Sequence, residues 1–273
     1  VITGTNDEVP QGQIRILFYG DIVGEPGRKA VIAHLPAIRR QRSVDFVIAN
    51  GENSAGGRGI TPKISIALLR AGAAVITSGD HIWDQTEIVP YIDTEPRLLR
   101  PMNFPEGTPG QGEVILGTEK GKVAVINVMG RTFTQPTLDN PFNLLEDAVA
   151  RLREETPVVF VDVHAETTSE KIAVGRLLDG KVSAVVGTHT HVQTADEQIF
   201  PGGTAFLCDA GMCGGVESIL GRKIDPIVRR FQTGLPARFP VAPGPVRLCG
   251  AIVDVDLATG KATAIERLSE VVE

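Results

Sequence analysis

Apolar and polar positions alternate along this chain with two different periods. Short apolar runs at residues 14–19, 46–50 and 73–78 read as strands, and the segments between them carry apolar residues at helical spacing. The first helix spans residues 27–42, with Pro36 expected to kink or break it. In the second, Thr61 caps the helix, Pro62 takes its first position and Gly72 terminates it. After an irregular stretch rich in Pro and Gly (96–112), residues 113–128 read as a hairpin turning near Lys120-Gly121. An amphipathic helix at 143–155, a strand at 157–163, a helix at 168–178 and a strand at 182–187 follow. Residues 203–211, 247–257 and 261–268 read as further strands, the last two pairing across Ala258-Thr259-Gly260. Strands alternate with helices early and hairpins come later, which predicts an α/β protein with mixed sheets. The polar residues 1–12 read as a flexible lead-in, and no linker or repeat divides 13–273, which is expected to be a single domain.

Composition narrows the function classes. A chain of 273 residues buries roughly three quarters of its unfolded surface, enough for a core without staples. The net charge of −6, with both signs interspersed, lacks the basic stripe that grips duplex nucleic acid. No apolar run approaches the ~20 residues that cross a bilayer, so no membrane partner is expected. Cys208 and Cys213 form a C-x4-C pair with no second pair to complete a zinc site, and Cys249 stands apart. Three reduced thiols in a cytoplasmic protein are expected.

The chemistry gathers at strand ends. Asp21, the Glu52-Asn53 pair, Asp80-His81, His164 and the His189-Thr190-His191 triplet each follow an apolar run, usually beside glycine. In α/β sheets the loops at the carboxyl ends of strands converge on one crevice, so these distant residues can meet. Four of the five histidines fall there; His34 sits on a predicted helix and is left out. Imidazole nitrogen and carboxylate oxygen suit zinc, manganese or iron, and the lack of thiolates disfavours iron–sulfur or structural zinc. Eight candidate groups exceed one tetrahedral ion but suit two ions sharing a carboxylate, the arrangement that clamps both oxygens of an in-line phosphoryl displacement.

The stretches "RILFYGDIVGEPGR", "ANGENSAGGRGIT", "TSGDHIWD", "RPMNFPEGTPG", "GRTF", "VDVHAETTSEK" and "AVVGTHTHVQTADEQIFPGGTAF" resemble the YmdB-like metallophosphoesterases of the calcineurin-like phosphoesterase superfamily. The resemblance runs from about residue 14 to 232. It implies a four-layer α/β/β/α sandwich of two mixed sheets and a dinuclear metal site, with iron or manganese expected and zinc or magnesium as alternatives. It also implies hydrolysis of small phosphodiesters, with 2′,3′-cyclic nucleotides as the family's substrate class. By the same resemblance Asp21, Asn53 and His191 would hold one ion. His164, His189 and Asp80 would hold the other, Glu52 would bridge both, and His81 would donate the proton. Where this chain has Gly79-Asp80-His81, the family usually reads Gly-Asn-His. The added charge is expected to tighten metal binding and weaken attraction for an anionic substrate.

The reaction expected is attack by a metal-bridging hydroxide while His81 protonates the departing oxygen. Asp84 and Glu87 fit a helix-start signature before "IVPYI", so Asp84 is assigned to capping rather than to orienting His81. Arg131 is a candidate substrate contact, a surface ion pair being the alternative. Asp254 and Asp256 share one face of a late strand, expected to face water. No dinucleotide fingerprint, phosphate-binding Gly-Lys-Ser/Thr loop or G-x-S-x-G elbow occurs. Low aromatic content favours nucleotides or short RNA ends over long single strands. A homo-oligomer is compatible with this reading. Two other readings stand beside it: a metal-stabilised regulatory or scaffold protein without catalysis, and a metal-dependent hydrolase of amides or esters.

Overall fold

The first strand shows how the layers arise. In β1 (Gln13–Tyr19) Ile14, Ile16 and Phe18 face one way, while Leu17 and Tyr19 face the other, and all five are buried. A strand buried on both faces must lie between two other layers, which is why its sequence reads as a continuous apolar run. The computed structural model describes residues 9–136 and 138–273.

One mixed sheet of seven strands has the order β2 (Asp21–Ile22), β11 (Met212–Gly215), β12 (Val246–Asp256), β1, β3 (Phe46–Asn50), β4 (Val75–Thr77), with β13 (Ala262–Val272) on the other edge of β12. The second, of six strands, has the order β5 (Glu113–Gly117), β6 (Lys122–Met129), β7 (Val159–His164), β8 (Ala184–Thr188), β10 (Ala205–Leu207), β9 (Gln198–Ile199). Even-numbered residues of β1 meet Val123, Val125, Phe160, Val186 and Leu207 of the opposite sheet, with the Phe18 and Phe160 rings 5.2 Å apart. Helices α1 (Gly24–Gln41) and α2 (Pro62–Ala71), with the short α3 (Val89–Ile92), cover the first sheet. Helices α4 (Pro141–Leu152) and α5 (Thr168–Leu177) cover the second. The result is the expected four-layer α/β/β/α sandwich. Among the described residues no helix is long and apolar enough to cross a membrane.

Several local expectations hold. Thr61 Oγ1 accepts from Ile64 N at 3.3 Å, and Gly72 closes α2 in the left-handed region with φ 120°. The hairpin of β5 and β6 turns through residues 118–121, and β12 and β13 pair antiparallel. Of residues 1–12, residues 1–8 lie outside the described residues; Gly12 O accepts from Leu257 N at 2.9 Å.

Others need correction. Pro36 does not break α1, which starts earlier, at Gly24, and runs on to Gln41. Pro36 is exposed, so water can satisfy the carbonyl that loses its partner. Asp254 does not face water: it is buried in a two-pronged pair with Arg15, Nε to Oδ1 at 2.7 Å and Nη2 to Oδ2 at 2.8 Å. The stretch 212–245 also holds two elements that the apolar periodicity did not suggest, β11 and the helix α6 (Ile224–Thr233).

Parallel pairing decides where the chemistry can be. β1, β3 and β4 run parallel, as do β6, β7, β8 and β10. The carboxyl ends of each set therefore open at one edge of its sheet. Two polar ties join those edges. Asp162 of β7 accepts from Thr77 Oγ1 (2.5 Å) and Asn50 Nδ2 (3.1 Å) of the first sheet, and from Thr188 Oγ1 (2.7 Å) of the second. Asn127 of β6 exchanges two 2.9 Å hydrogen bonds with the backbone of Ser78, just beyond β4.

Candidate metal centre

At the joined edges the strand-end residues meet. Glu52, Asp80, His164 and His189 offer ligand atoms that all lie within 4.8 Å of one another. His164 Nε2 is 3.2 Å from Glu52 Oε1 and 3.1 Å from Asp80 Oδ1, and His189 Nδ1 is 2.9 Å from His164 Nε2. A second group adjoins the first through Glu52. Asn53 Nδ2 lies 2.9 Å from Glu52 Oε1, 3.3 Å from Asp21 Oδ1 and 3.2 Å from His191 Nε2. Half a turn of the Asn53 amide would present its oxygen instead, the atom a cation takes. The seven residues expected to be ligands are thus together, with Glu52 touching both groups.

The three imidazoles share one logic. Each gives its outer nitrogen to a protein acceptor and turns the inner one toward the carboxylates. His164 Nδ1 donates to Thr188 Oγ1 at 2.9 Å, because the Thr188 proton is already spent on Asp162. His189 Nε2 meets Glu166 Oε2 at 3.0 Å, and His191 Nδ1 meets the Leu220 carbonyl at 3.3 Å. Outer partners of this kind fix the tautomer and ring orientation of metal-ligating histidines.

Space and charge also fit a cation. A Cβ on Gly79 would collide with the His164 ring and Glu52 Oε2, so only glycine lets the chain pass this close. Asp21 and Glu52 are fully buried, and with Asp80 they bring three carboxylates into one cluster whose ion pairs are with imidazoles. Buried like charges of this density need cationic partners. Burial raises the Asp21 carboxyl, but His191 and His164 hold it well below the usual carboxylate range. Burial also raises Asp80, and His164 and His189 likewise hold it low. Burial lowers His164, yet Glu52, Asp80 and Asp21 lift it well above an ordinary imidazole, and Asp21 and Glu52 raise His191 against its own burial.

The His-x-His triplet adopts a costly backbone. His189 and His191 both have positive φ, 99° and 66°, a conformation that costs ~1–3 kcal/mol per residue unless surroundings impose it. Asp21 Oδ2 accepts from His189 N at 3.0 Å. Asp209 Oδ2 accepts from Thr190 Oγ1 at 2.7 Å and Thr190 N at 3.2 Å, and is paired at 2.7 Å with the fully buried Lys171. Sequence inspection missed Asp209, Lys171 and Glu166. The only available signals were a charge inside the apolar run 203–211 and a Lys on the buried face of a helix.

His81 stands beside the cluster. Its backbone N–H donates to Glu52 Oε2 at 3.3 Å, and its Nδ1 lies 3.2 Å from Asp84 Oδ2, which also pairs with Arg58 Nε at 2.7 Å. Asp84 therefore does not cap: the following 3₁₀ turn, Thr86–Ile88, starts after Gln85 with no side-chain cap bond. The pull of His81 and Arg58 on Asp84 outweighs the capping pattern. Arg131 is exposed just past β6, its backbone N–H donating to Glu170 Oε1 at 2.9 Å, and it does not line the cavity beside the cluster. All three cysteines are free and buried; burial pushes Cys208 and Cys249 up to about 11, which makes them poor nucleophiles and ligands.

Known proteins resemble this chain over most of its length. A family model described as YmdB-like protein matches residues 17–268. The 2′,3′-cyclic-nucleotide 2′-phosphodiesterase of Bacillus subtilis (strain 168) is 50% identical over 255 residues, 93% of this chain and 96% of that protein. Among solved structures, a hypothetical protein from Thermus thermophilus superposes with a TM-score of 0.87 at 40% identity, covering 95% of this chain and 100% of the other. A novel phosphatase from Mycoplasma pneumoniae gives 0.89 at 34% identity, covering 95% and 94%.

Two outcomes follow from the geometry. The carboxylates around them raise both His164 and His191, so the metal-free imidazoles keep their protons to higher pH than ordinary ones and must shed them to ligate. Calorimetric titration with manganese in buffers of different ionisation enthalpy should show proton release at pH 7. Affinity should fall about tenfold per pH unit for each proton released as the pH drops; pH-independent binding from 5.5 to 7.5, an interval of about two units, would exclude these histidines as ligands. Lys171→Met should cost about 3–5 kcal/mol in denaturant unfolding by stranding Asp209, and weaken metal binding. Unchanged stability and affinity would remove the clamp.

Proposed function

Because the chain belongs to the YmdB-like protein family, we propose that it is a metal-dependent phosphodiesterase that opens 2′,3′-cyclic nucleotides, the substrate class in the name of its Bacillus subtilis relative. The observation that carries this reading is the set of three imidazoles, each held from outside and facing buried carboxylates. Asp21, Asn53 and His191 would hold one divalent ion and Asp80, His164 and His189 a second, with Glu52, which touches both groups, available to either. Manganese or iron suits this nitrogen and oxygen set. When bound, the ions supply an activated water as nucleophile and positive charge against the phosphoryl oxygens.

The remaining work belongs to the chain. His81, half-buried at the cavity wall, protonates the departing 2′-oxygen, and Asp84 fixes its ring from Nδ1. Asp80 adds a third carboxylate to the cluster, so metals are held tightly while the net positive potential offered to the phosphodiester is reduced. Water gives its hydroxyl to phosphorus, the 2′-oxygen leaves with the proton from His81, and the water's other proton passes to solvent, from which His81 is reprotonated; a nucleoside 3′-phosphate with a free 2′-hydroxyl results.

Manganese- and iron-loaded protein assayed on 2′,3′-cyclic AMP tests the reading; metal bound without turnover on phosphodiesters under either metal would leave a scaffold. His81→Ala should lower kcat by ~10²–10⁴-fold with metal content unchanged; retained kcat would remove it as the acid. Asp80→Asn should weaken metal affinity by on the order of tenfold or more, since one unit charge at contact distance is worth a few kcal/mol even when screened. At saturating metal the same variant should raise kcat/KM. No change in either quantity would show that the extra charge is inert.

A further inference from the structure

A cavity of about 490 Å³ opens from the metal cluster, and its two ends are chemically unlike. The inner end is formed by His81, His189 and His191. The outer end is formed by Leu220, Phe231 and Phe239, from the segment containing α6. Phe231 is 84% exposed, an unusual position for a phenyl ring with a buried helix neighbour, Ile227, one turn away.

This outer wall is held in register with the metal ligands. Arg222 donates to Gly56 O at 3.2 Å and Gly57 O at 2.5 Å, in the loop after Asn53, and to Phe239 O at 3.1 Å. Leu220 O accepts from His191 Nδ1 at 3.3 Å. The wall is thus tied both to the Asn53 loop and to a ligand imidazole. The charged lining residues outside the metal cluster, Arg222 and Arg230, direct N–H groups at backbone carbonyls, the latter at Gly234 O.

A ligand whose phosphate lies at the cluster would therefore lay its other end on phenyl and aliphatic surface, where the described lining residues outside the metal cluster include no carboxylate, amide or hydroxyl side chain to read hydrogen-bonding edges. Every nucleobase has a π-face, so stacking on such a wall tolerates any base, and apolar walls discriminate weakly. We propose that Phe231 and Phe239 form the nucleobase platform of the site, and that it accepts purine and pyrimidine 2′,3′-cyclic nucleotides alike. This rests on the phosphodiesterase reading for its phosphate end and adds the base end.

The test compares manganese-loaded protein on the four 2′,3′-cyclic mononucleotides and on methyl riboside 2′,3′-cyclic phosphate, which lacks a base. Alongside, calorimetry measures binding of the four nucleoside 3′-monophosphates and of methyl riboside 3′-phosphate. The nucleotides should agree within about tenfold in kcat/KM and exceed the riboside by about 5- to 150-fold, the range of one stacked base. Phe231→Ala should collapse that ratio toward one, and Phe231→Trp should restore it; a merely structural role would lower nucleotide and riboside together and leave the ratio intact. A spread above about 100-fold among bases, or a ratio indifferent to Phe231, overturns the proposal. So does a Phe231→Ala variant whose only change is a smaller oligomer, which would assign the wall to a second copy of the chain. If no ester is hydrolysed yet the 3′-monophosphates bind with the expected preference, the platform stands and the phosphodiesterase reading fails. If all five esters turn over equally, the reverse holds.

Discussion

The structure depends on one buried carboxylate at the seam between its sheets. Asp162 receives hydrogen bonds from Asn50 and Thr77 of one sheet and from Thr188 of the other. Burial pushes it up to about 6 even with these donors and the nearby His164 favouring its charge. Removing it would leave three buried donors unmatched at the place where two sheets must agree in register, a severe cost for polar groups away from water. Through Thr188 the same carboxylate sets which nitrogen of His164 keeps its proton, and so leaves Nε2 to face the cluster. Fold and site are joined at this point: the bond that aligns the sheets also aims the His164 imidazole into the cluster.

The site above the seam is built against electrostatic resistance. Three carboxylates share a small volume, two of them fully buried, and their neutralising partners inside the chain are imidazoles. Two of those imidazoles sit on strained backbone that Asp21 and the Lys171–Asp209 pair hold in place. Such strain persists only where the surroundings over-determine it. A fold selected for stability alone would not collect this much like charge and positive φ in one loop cluster. Divalent cations would relieve the repulsion, and their charge is what phosphodiester chemistry needs.

Much of this was legible in the sequence because the apolar runs ended in ligand-type residues, and parallel strands bring their carboxyl ends together. β3 and α2 matched their expected bounds, and four of the metal-capable strand-end residues, Glu52, Asp80, His164 and His189, lie within 4.8 Å of one another. The failures have one thing in common: the local pattern does not encode the surroundings that each residue meets. Pro36 reads as a breaker, but its exposure leaves the lost bond to water. Asp254 reads as solvent-facing because alternation cannot reveal Arg15, 239 residues away. Asp84 reads as a cap until His81 and Arg58 compete for it. The helix α6 had usable signals, Asp225-Pro226 at its start and Gly234 at its end, but its apolar face points to the cavity and solvent rather than to a core. Strand β11 is four residues long with two glycines, too short for any periodicity.

The central claim is that these side chains enclose a pair of cations shared by Glu52. The most direct measurement is an anomalous-scattering map from crystals of the manganese-loaded protein. The account predicts two peaks, one bonded to Asp21, Asn53 and His191 and the other to Asp80, His164 and His189, with Glu52 reaching both. A map with no peak, or with one peak that Glu52 does not touch, would contradict it.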